Sequence, residues 1–316
     1  MEVCGSEMEA GANASKGRPF DELQYGRKTF VASSEFLQRM WLAPSVASRL
    51  GGLADGQGLV ASAKLFASLP RLSISLSSSE SGREIAAHLR RTRMGIPHTR
   101  LAQGVLAVPP TQEEYLGGRS RQAVRTNIRR AKSLGLTCRR LAGRAEQRYV
   151  ADYMVGRRPQ SEDVAEEYRR HLDHLYTHCW MVEAPDQTPA ALAILSVDTE
   201  VAMLWSLVCL EPSAKWLLHT HVVGELGAAG VRYLLTSSRM APMMRPQDQY
   251  FQKLLGYRVA HLSLEPASGR AVAGSHLNGR GRVRPVITPA NPTDNGGIMA
   301  TPRRDVPVFA AFTDNR

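Results

Sequence analysis

Residues 115–137, YLGGRSRQAVRTNIRRAKSLGLT, predict a Gly-broken lead-in, one strongly basic amphipathic helix and a stop. Ser120 is the expected N-cap, because its hydroxyl can take a backbone N–H that the first helical turn leaves unpaired. Gly135 is the expected residue beyond the C-terminus, since it turns left-handed without a Cβ penalty. At 100° per residue, Ala123, Val124, Ile128, Ala131 and Leu134 share one side. Arg121, Arg125, Arg129 and Lys132 gather on another. Asn127 falls inside the apolar stripe, where a buried amide needs hydrogen-bond partners.

The positive charge of this helix is part of a local surplus. The chain has 316 residues and a formal net charge of +11. Residues 83–158 hold 17 Lys+Arg against 5 Asp+Glu, so the remainder is close to neutral. Such a surplus attracts phosphates, nucleic acid or acidic lipids. The competing reading is a solvated face in a chain where Arg greatly outnumbers Lys. Cys4, Cys138, Cys179 and Cys209 have no paired spacing, which argues against a disulfide framework and a zinc ribbon. No apolar run is long enough to span a bilayer, and the N-terminus lacks a signal-peptide pattern. A soluble, cytoplasmic protein is expected, with one large domain or two small ones.

Residues 1–21 are small and polar and read as disordered, as does the Gly-, Pro-, Asn- and Arg-rich stretch 266–316. Residues 22–103 read as an N-terminal extension or partial subdomain. It holds a helix over 30–50, a loop at 51–58, an apolar Ser-rich stretch at 59–76 that suits helix or strand, and a basic helix over 83–93. The interpretable domain spans 104–265. A strand at 105–108 precedes the basic helix, and a second at 136–141 follows it. Helices are expected over 145–155 and, with Ser161 as N-cap, over 163–178. Then come three strand-like segments, CWMVEA from 179, AALAILSV from 190 and VAMLWSLVC from 201, divided by turn residues, which suggest an antiparallel meander. Pro212 opens a helix that closes before Gly230. The strand VRYLL from 231, a short helix closed by Gly256 and a last strand from 257 complete the order. A helix crossing over between apolar strands implies an α/β or α+β sheet with helices on its faces.

SRQAVRTNIRRAKSLGL resembles the basic motif of the Fem-type peptidyltransferases and their single-domain, acetyltransferase-like relatives, through Arg125, Asn127, Ile128, Arg129, Ala131 and Gly135. SAKWLLHTHVVGELGAAGVRYLL resembles that family's helix, Gly and following strand. YFQKLLGYRV resembles the end of many acyltransferase domains, with Phe251, Leu255, Gly256 and Tyr257 matching. The resemblance covers residues 104–264 and implies a GNAT-like acyl-CoA N-acyltransferase fold, with a mixed central sheet flanked by helices. It implies transfer of an acyl group from acetyl-CoA or another acyl-CoA to an amine. Leu210, Ser213, Ala214 and Lys215 then stand where the cofactor pyrophosphate is held. That stretch, LEPSAKWL, has no Gly to let a phosphate approach the backbone. Gln252 takes the place of the family's general-acid Tyr, and Tyr250, two residues away on another side of the helix, is the nearest substitute. A Fem-like transferase drawing on charged tRNA is the alternative. A catalytically silent nucleic-acid or protein-binding module on the same fold is the third reading.

Other candidates come from the residues themselves. Glu183 and Glu211, at strand ends, carry carboxylates suited to deprotonating an amine. His171, His174 and His178 are spaced along the expected helix at 163–178, and His171 is a candidate general base because imidazole titrates near neutrality. Three ligands on one helix rarely complete a zinc site, so no metal is expected. His219 and His221, two apart on a helix, cannot face the same way. Arg121, Arg125, Arg129 and Lys132 are the candidate phosphate ligands, toward a cofactor, tRNA or another polyanion. Trp205 and Trp216 read as core.

Overall fold

The unbroken apolar run AALAILSV is explained by where it lies. In the computed structural model, which describes residues 27–42, 54–92, 97–157, 177–237, 242, 244 and 246–265, it forms most of a strand at Pro189–Asp198. Ala191, Ala193 and Leu195 enter one core, and Leu192 and Ile194 enter another on the opposite face. A strand covered on both faces has no polar side to alternate with.

The elements in order are α1 (Arg27–Leu42), α2 (Gly56–Ser68), β1 (Arg71–Ser75), α3 (Glu80–Leu89), β2 (Gln103–Ala107), α4 (Gln112–Leu116), α5 (Gln122–Ser133) and β3 (Thr137–Leu141). Then follow α6 (Arg144–Gly156), β4 (Thr177–Glu183), β5 (Pro189–Asp198), β6 (Val201–Cys209), α7 (Ala214–Ala228), β7 (Tyr233–Thr236), α8 (Pro246–Leu255) and β8 (Arg258–Glu265). The strands form one eight-stranded mixed sheet in the order β1-β8-β2-β7-β6-β5-β4-β3. β4, β5 and β6 make the antiparallel meander. α7 carries the chain from β6 to a parallel β7. α5 and α7 cover one face, and α3 and α6 cover the other. α1 and α2 pack through Phe36, Leu37 and Leu65, with Val259 of β8 in the same cluster. The fold is thus a mixed α/β sheet flanked by helices.

Three helices end in the same way. At the end of α5 the Leu136 N–H bonds to Ala131 O at 3.1 Å, and the Gly135 N–H to Lys132 O at 3.0 Å. The same pair of bonds joins Val231 to Leu226 and Gly230 to Gly227 after α7, and Tyr257 to Gln252 and Gly256 to Lys253 after α8. Gly135, Gly230 and Gly256 have φ of 72°, 81° and 82°. Each stop satisfies carbonyls left open by the helix, and the residue after the glycine, Leu136, Val231 or Tyr257, is buried.

Several expectations are corrected. Ser120 does not cap α5. The chain enters the helix through a 3-10 turn at Arg119–Arg121, and Arg121 takes the cap position without a side-chain bond to the helix. Leu134 is 46% exposed, because the stop at Gly135 turns the chain so that Leu136 fills the core in its place. Helix α2 begins inside the stretch read as a loop, where Asp55 accepts from the Gly58 N–H at 2.9 Å. The undecided stretch 59–76 holds the rest of α2 and then β1, which pairs in parallel with β8. Part of the N-terminal extension is therefore built into the sheet. His178 lies in β4, opposite Leu195, and not on a helix.

The expected disordered ends and residues 163–176, with His171 and His174, lie outside the described residues. All described residues fall in one compact unit, Met1–Gly274. Among them no helix is long and apolar enough to cross a membrane.

Candidate active site

β6 is longer than the strand beside it. Val201–Leu204 of β6 pair in parallel with Tyr233–Thr236 of β7. The Ser237 N–H then reaches Leu204 O at 3.0 Å, and Ser237 Oγ donates to Trp205 O at 2.7 Å. Beyond that point β6 runs on to Cys209 paired with β5 alone among the described strands. The register with β5 also slips: Leu195 faces Leu204 and Ile194 faces Ser206, so Trp205 is the extra residue of a bulge. A bulge bends its strand and increases local twist. The indole fixes it in place. Trp205 Nε1 donates to Ser196 Oγ at 2.7 Å, and Ser196 Oγ donates to Glu84 Oε2 at 2.6 Å.

A pocket of about 230 Å³ opens at this divergence. That is below the roughly 300–1,000 Å³ of sites for drug-sized ligands, so it suits the reacting end of a substrate. Leu204 and Leu207 of β6 and Phe251 and Leu255 of α8 give it apolar walls. Asp248, on the first turn of α8, brings a carboxylate to it. Lys215 Nζ stands 4.4 Å from the centroid of the Phe251 ring, at the rim.

Behind the pocket lies a buried hydrogen-bond chain. Tyr115 Oη donates to Leu255 O at 3.0 Å and lies 3.3 Å from His219 Nδ1. His219 Nε2 lies 3.0 Å from Tyr257 Oη. The direction follows from donor counting. The single phenolic proton of Tyr115 is committed to a carbonyl, so His219 Nδ1 donates to Tyr115 and Nε2 accepts from Tyr257. Burial, and then the charge of Arg121, hold the His219 imidazole down to about 3. Burial likewise raises both phenols above their ordinary range. The chain is neutral at pH 7.

No protein-family model matches the chain, and no curated protein matches its sequence. Among solved structures it is similar to FemX at 11% identity, with a TM-score of 0.38 over 51% of this chain and 59% of that one. It is similar to L-PGS from Bacillus licheniformis at 11% identity and a TM-score of 0.33, over 46% of this chain and 48% of that one. The GCN5-related N-acetyltransferase from Kribbella flavida matches at 13% identity and a TM-score of 0.29, over 49% and 53% of the two chains. The chain thus spans about half the length of these structures. The chemistry that follows rests on this chain's own residues.

The basic helix divides its charges. Arg121 Nη1 donates to Leu254 O at 2.7 Å and Nε to Tyr115 O at 3.2 Å, while the guanidinium lies 4.8 Å from the Tyr115 ring centroid. Arg125 donates to the carbonyls of Leu116 and Gly118. These two arginines thus hold backbone carbonyls. Arg129 and Lys132 are exposed. Asn127, inside the stripe, satisfies its amide on Ala123 O one turn back, at 2.9 Å.

The expected cofactor stretch is differently built. Leu210 is 36% exposed and gives its N–H to Ala190 O. Ser213 and Ala214 are buried. Glu211 Oε1 accepts from the Ser213 N–H at 3.1 Å and from Ser213 Oγ at 2.7 Å. These bonds hold its carboxyl below the usual range. A side-chain carboxylate therefore sits at the start of α7, where a pyrophosphate would dock.

Of the catalytic candidates, Glu183 is bound by Arg139 Nε at 2.8 Å and does not line the pocket. Tyr250 is 63% exposed on α8 and does not line it either. His219, Tyr257 and Asp248 line it instead. His221 is only half-buried, on a different side of α7 from His219. His219 carried no sequence signal beyond its place in a largely apolar helix, where a buried polar side chain needs partners.

Proposed function

We propose that the protein is an acyltransferase that moves an acyl group onto an amine in the pocket between β6 and β7. The observation that supports this reading is the edge of β6 beyond Leu204 that no described strand pairs on the β7 side, lying against a small cavity. Backbone N–H groups on that open edge suit the oxygen of an acyl carbonyl as it gains negative charge. Asp248 suits the amine, first as counter-charge and then as acceptor of its proton. The amine nitrogen attacks the acyl carbon and the new C–N bond forms. The bond to the leaving group breaks, and the leaving group takes a proton from solvent at the mouth. Lys215 at the rim offers a positive charge to an anionic donor.

The donor expected first is acetyl-CoA or another acyl-CoA. Glu211 favours the second reading, a Fem-like transferase using an aminoacyl group carried on tRNA. Its carboxylate repels a pyrophosphate at the start of α7, while the exposed Arg129 and Lys132 remain open to an RNA backbone. A thermal-shift screen against acetyl-CoA, longer acyl-CoAs and tRNA tests both readings, because a ligand that binds only the native state raises its stability. A shift with a thioester supports the first donor, and a shift with charged tRNA alone supports the second. No shift with any donor, and no transfer to an amine, would leave a binding module and overturn the proposal.

A further inference from the structure

The inner end of the pocket holds polar groups that acyl transfer alone does not require. Gln252 is 8% exposed, lines the cavity, and its side-chain amide hydrogen-bonds to no described residue. Its Oε1 would lie 3.2 Å from a Cβ built on Gly104, so the glycine of β2 makes room for the amide. His219, Tyr257 and Thr236 line the same end, and each is buried. None of these groups carries charge at pH 7. Tyr257 donates its O–H to His219 Nε2, so its oxygen keeps accepting capacity. The amide lines the cavity, where a ligand's donor and acceptor can replace water. A carboxylate here would lose its hydration and share the cavity with the Asp248 carboxylate.

We infer that this end of the pocket is a recognition subsite for a neutral group with adjacent hydrogen-bond donor and acceptor, a carboxamide or peptide unit, paired in plane with the amide of Gln252. Only the placement of that unit, within the transferred acyl group, rests on the acyl-transfer reading. An acetyl group leaves the amide of Gln252 unmatched. A bare hydrocarbon chain fills the walls and does no better.

The test uses the full chain and two probes of one shape, butyramide and butyrate. Binding is followed by saturation-transfer NMR and by indole fluorescence, since Trp205 lines the cavity. Butyramide should bind with clear preference over butyrate. Gln252→Leu should weaken butyramide by about tenfold, the loss expected for one or two neutral hydrogen bonds, and Gln252→Met serves if the leucine variant does not fold. Equal binding of butyrate by the parent, or undiminished butyramide binding by the variant, overturns the subsite. Amide selectivity without any response to acyl donors would sink the transferase reading and leave the subsite standing. Donor binding without amide selectivity would do the opposite.

Discussion

Arg121 reaches across from the start of α5 and donates Nη1–H to the carbonyl oxygen of Leu254, at 2.7 Å. That carbonyl lies in the last turn of α8, the helix that walls the pocket with Phe251 and Leu255. Charge on the guanidinium complements the negative end of the helix dipole. Arg121→Ala should cost about 1.5–3 kcal/mol, the range for hydrogen bonds to charged groups. Urea denaturation would measure it, and a cost within about 0.5 kcal/mol, as for ordinary surface sites, would refute the clamp.

Arg129 and Lys132 should behave in the opposite way. Their double replacement by Ala leaves stability almost unchanged, since exposed charges contribute less than about 1 kcal/mol. If they meet a nucleic-acid backbone, each lost contact lowers the log–log salt slope of binding by about 0.7–0.9. Filter binding of tRNA at several salt concentrations reads the slope. An unchanged slope means a solvated face.

Ile128 lies at 6% exposure under the same helix, in the core with Val124 and Ala131. Ile128→Ala should cost roughly 2–5 kcal/mol through lost burial and the cavity left behind. A smaller loss in a denaturant titration would mean that α5 packs more loosely than described.

His219 makes stability depend on pH. Its folded-state value, near 3, lies below the ordinary 6.5, so the unfolded chain binds the proton more readily. The contribution is complete above pH 6.5 and declines as pH falls toward 3. The slope is at most about 1.4 kcal/mol per pH unit. His178, held near 4 by burial and then Arg140, adds to the upper part of that window. Glu211, whose carboxyl is depressed, loses its contribution only at lower pH. Denaturation midpoints between pH 4.5 and 7 should therefore fall less steeply in His219→Gln than in the parent, and parallel curves would contradict the buried neutral imidazole.

Glu211→Gln should tighten binding of coenzyme A if its pyrophosphate docks at the start of α7, because the competing charge is gone. Calorimetry on parent and variant measures this. Equal affinities would place any such cofactor elsewhere.

The three helix stops were legible because each is written in a single residue. Gly135, Gly230 and Gly256 adopt a conformation that few other residues take, so each boundary could be placed from sequence. The meander was legible because β4, β5 and β6 are apolar runs separated by turn residues. The site was not. Tyr115 and His219 are 104 positions apart, and His219 and Tyr257 are 38 apart; only the fold brings them together. The bulge at Trp205 leaves no mark in VAMLWSLVC, since the slip depends on which residues of β5 stand opposite. The bond of Arg121 to Leu254 was not legible for a related reason: a guanidinium on a helix face reads the same in sequence whatever it meets across the fold.

Gly256 joins two of these threads. A Cβ there would stand 1.9 Å from Arg121 Nη2, and its φ of 82° already disfavours any side chain. The next residue is Tyr257, which the stop turns inward onto His219. Punctuation and chemistry thus share one dipeptide, and neither letter is free to drift without the other. An engineer who wished to change what the pocket accepts would have to leave Gly256–Tyr257 alone and work from the β6 side, at Leu204 and Leu207, where side chains can be exchanged without rewriting how a helix ends.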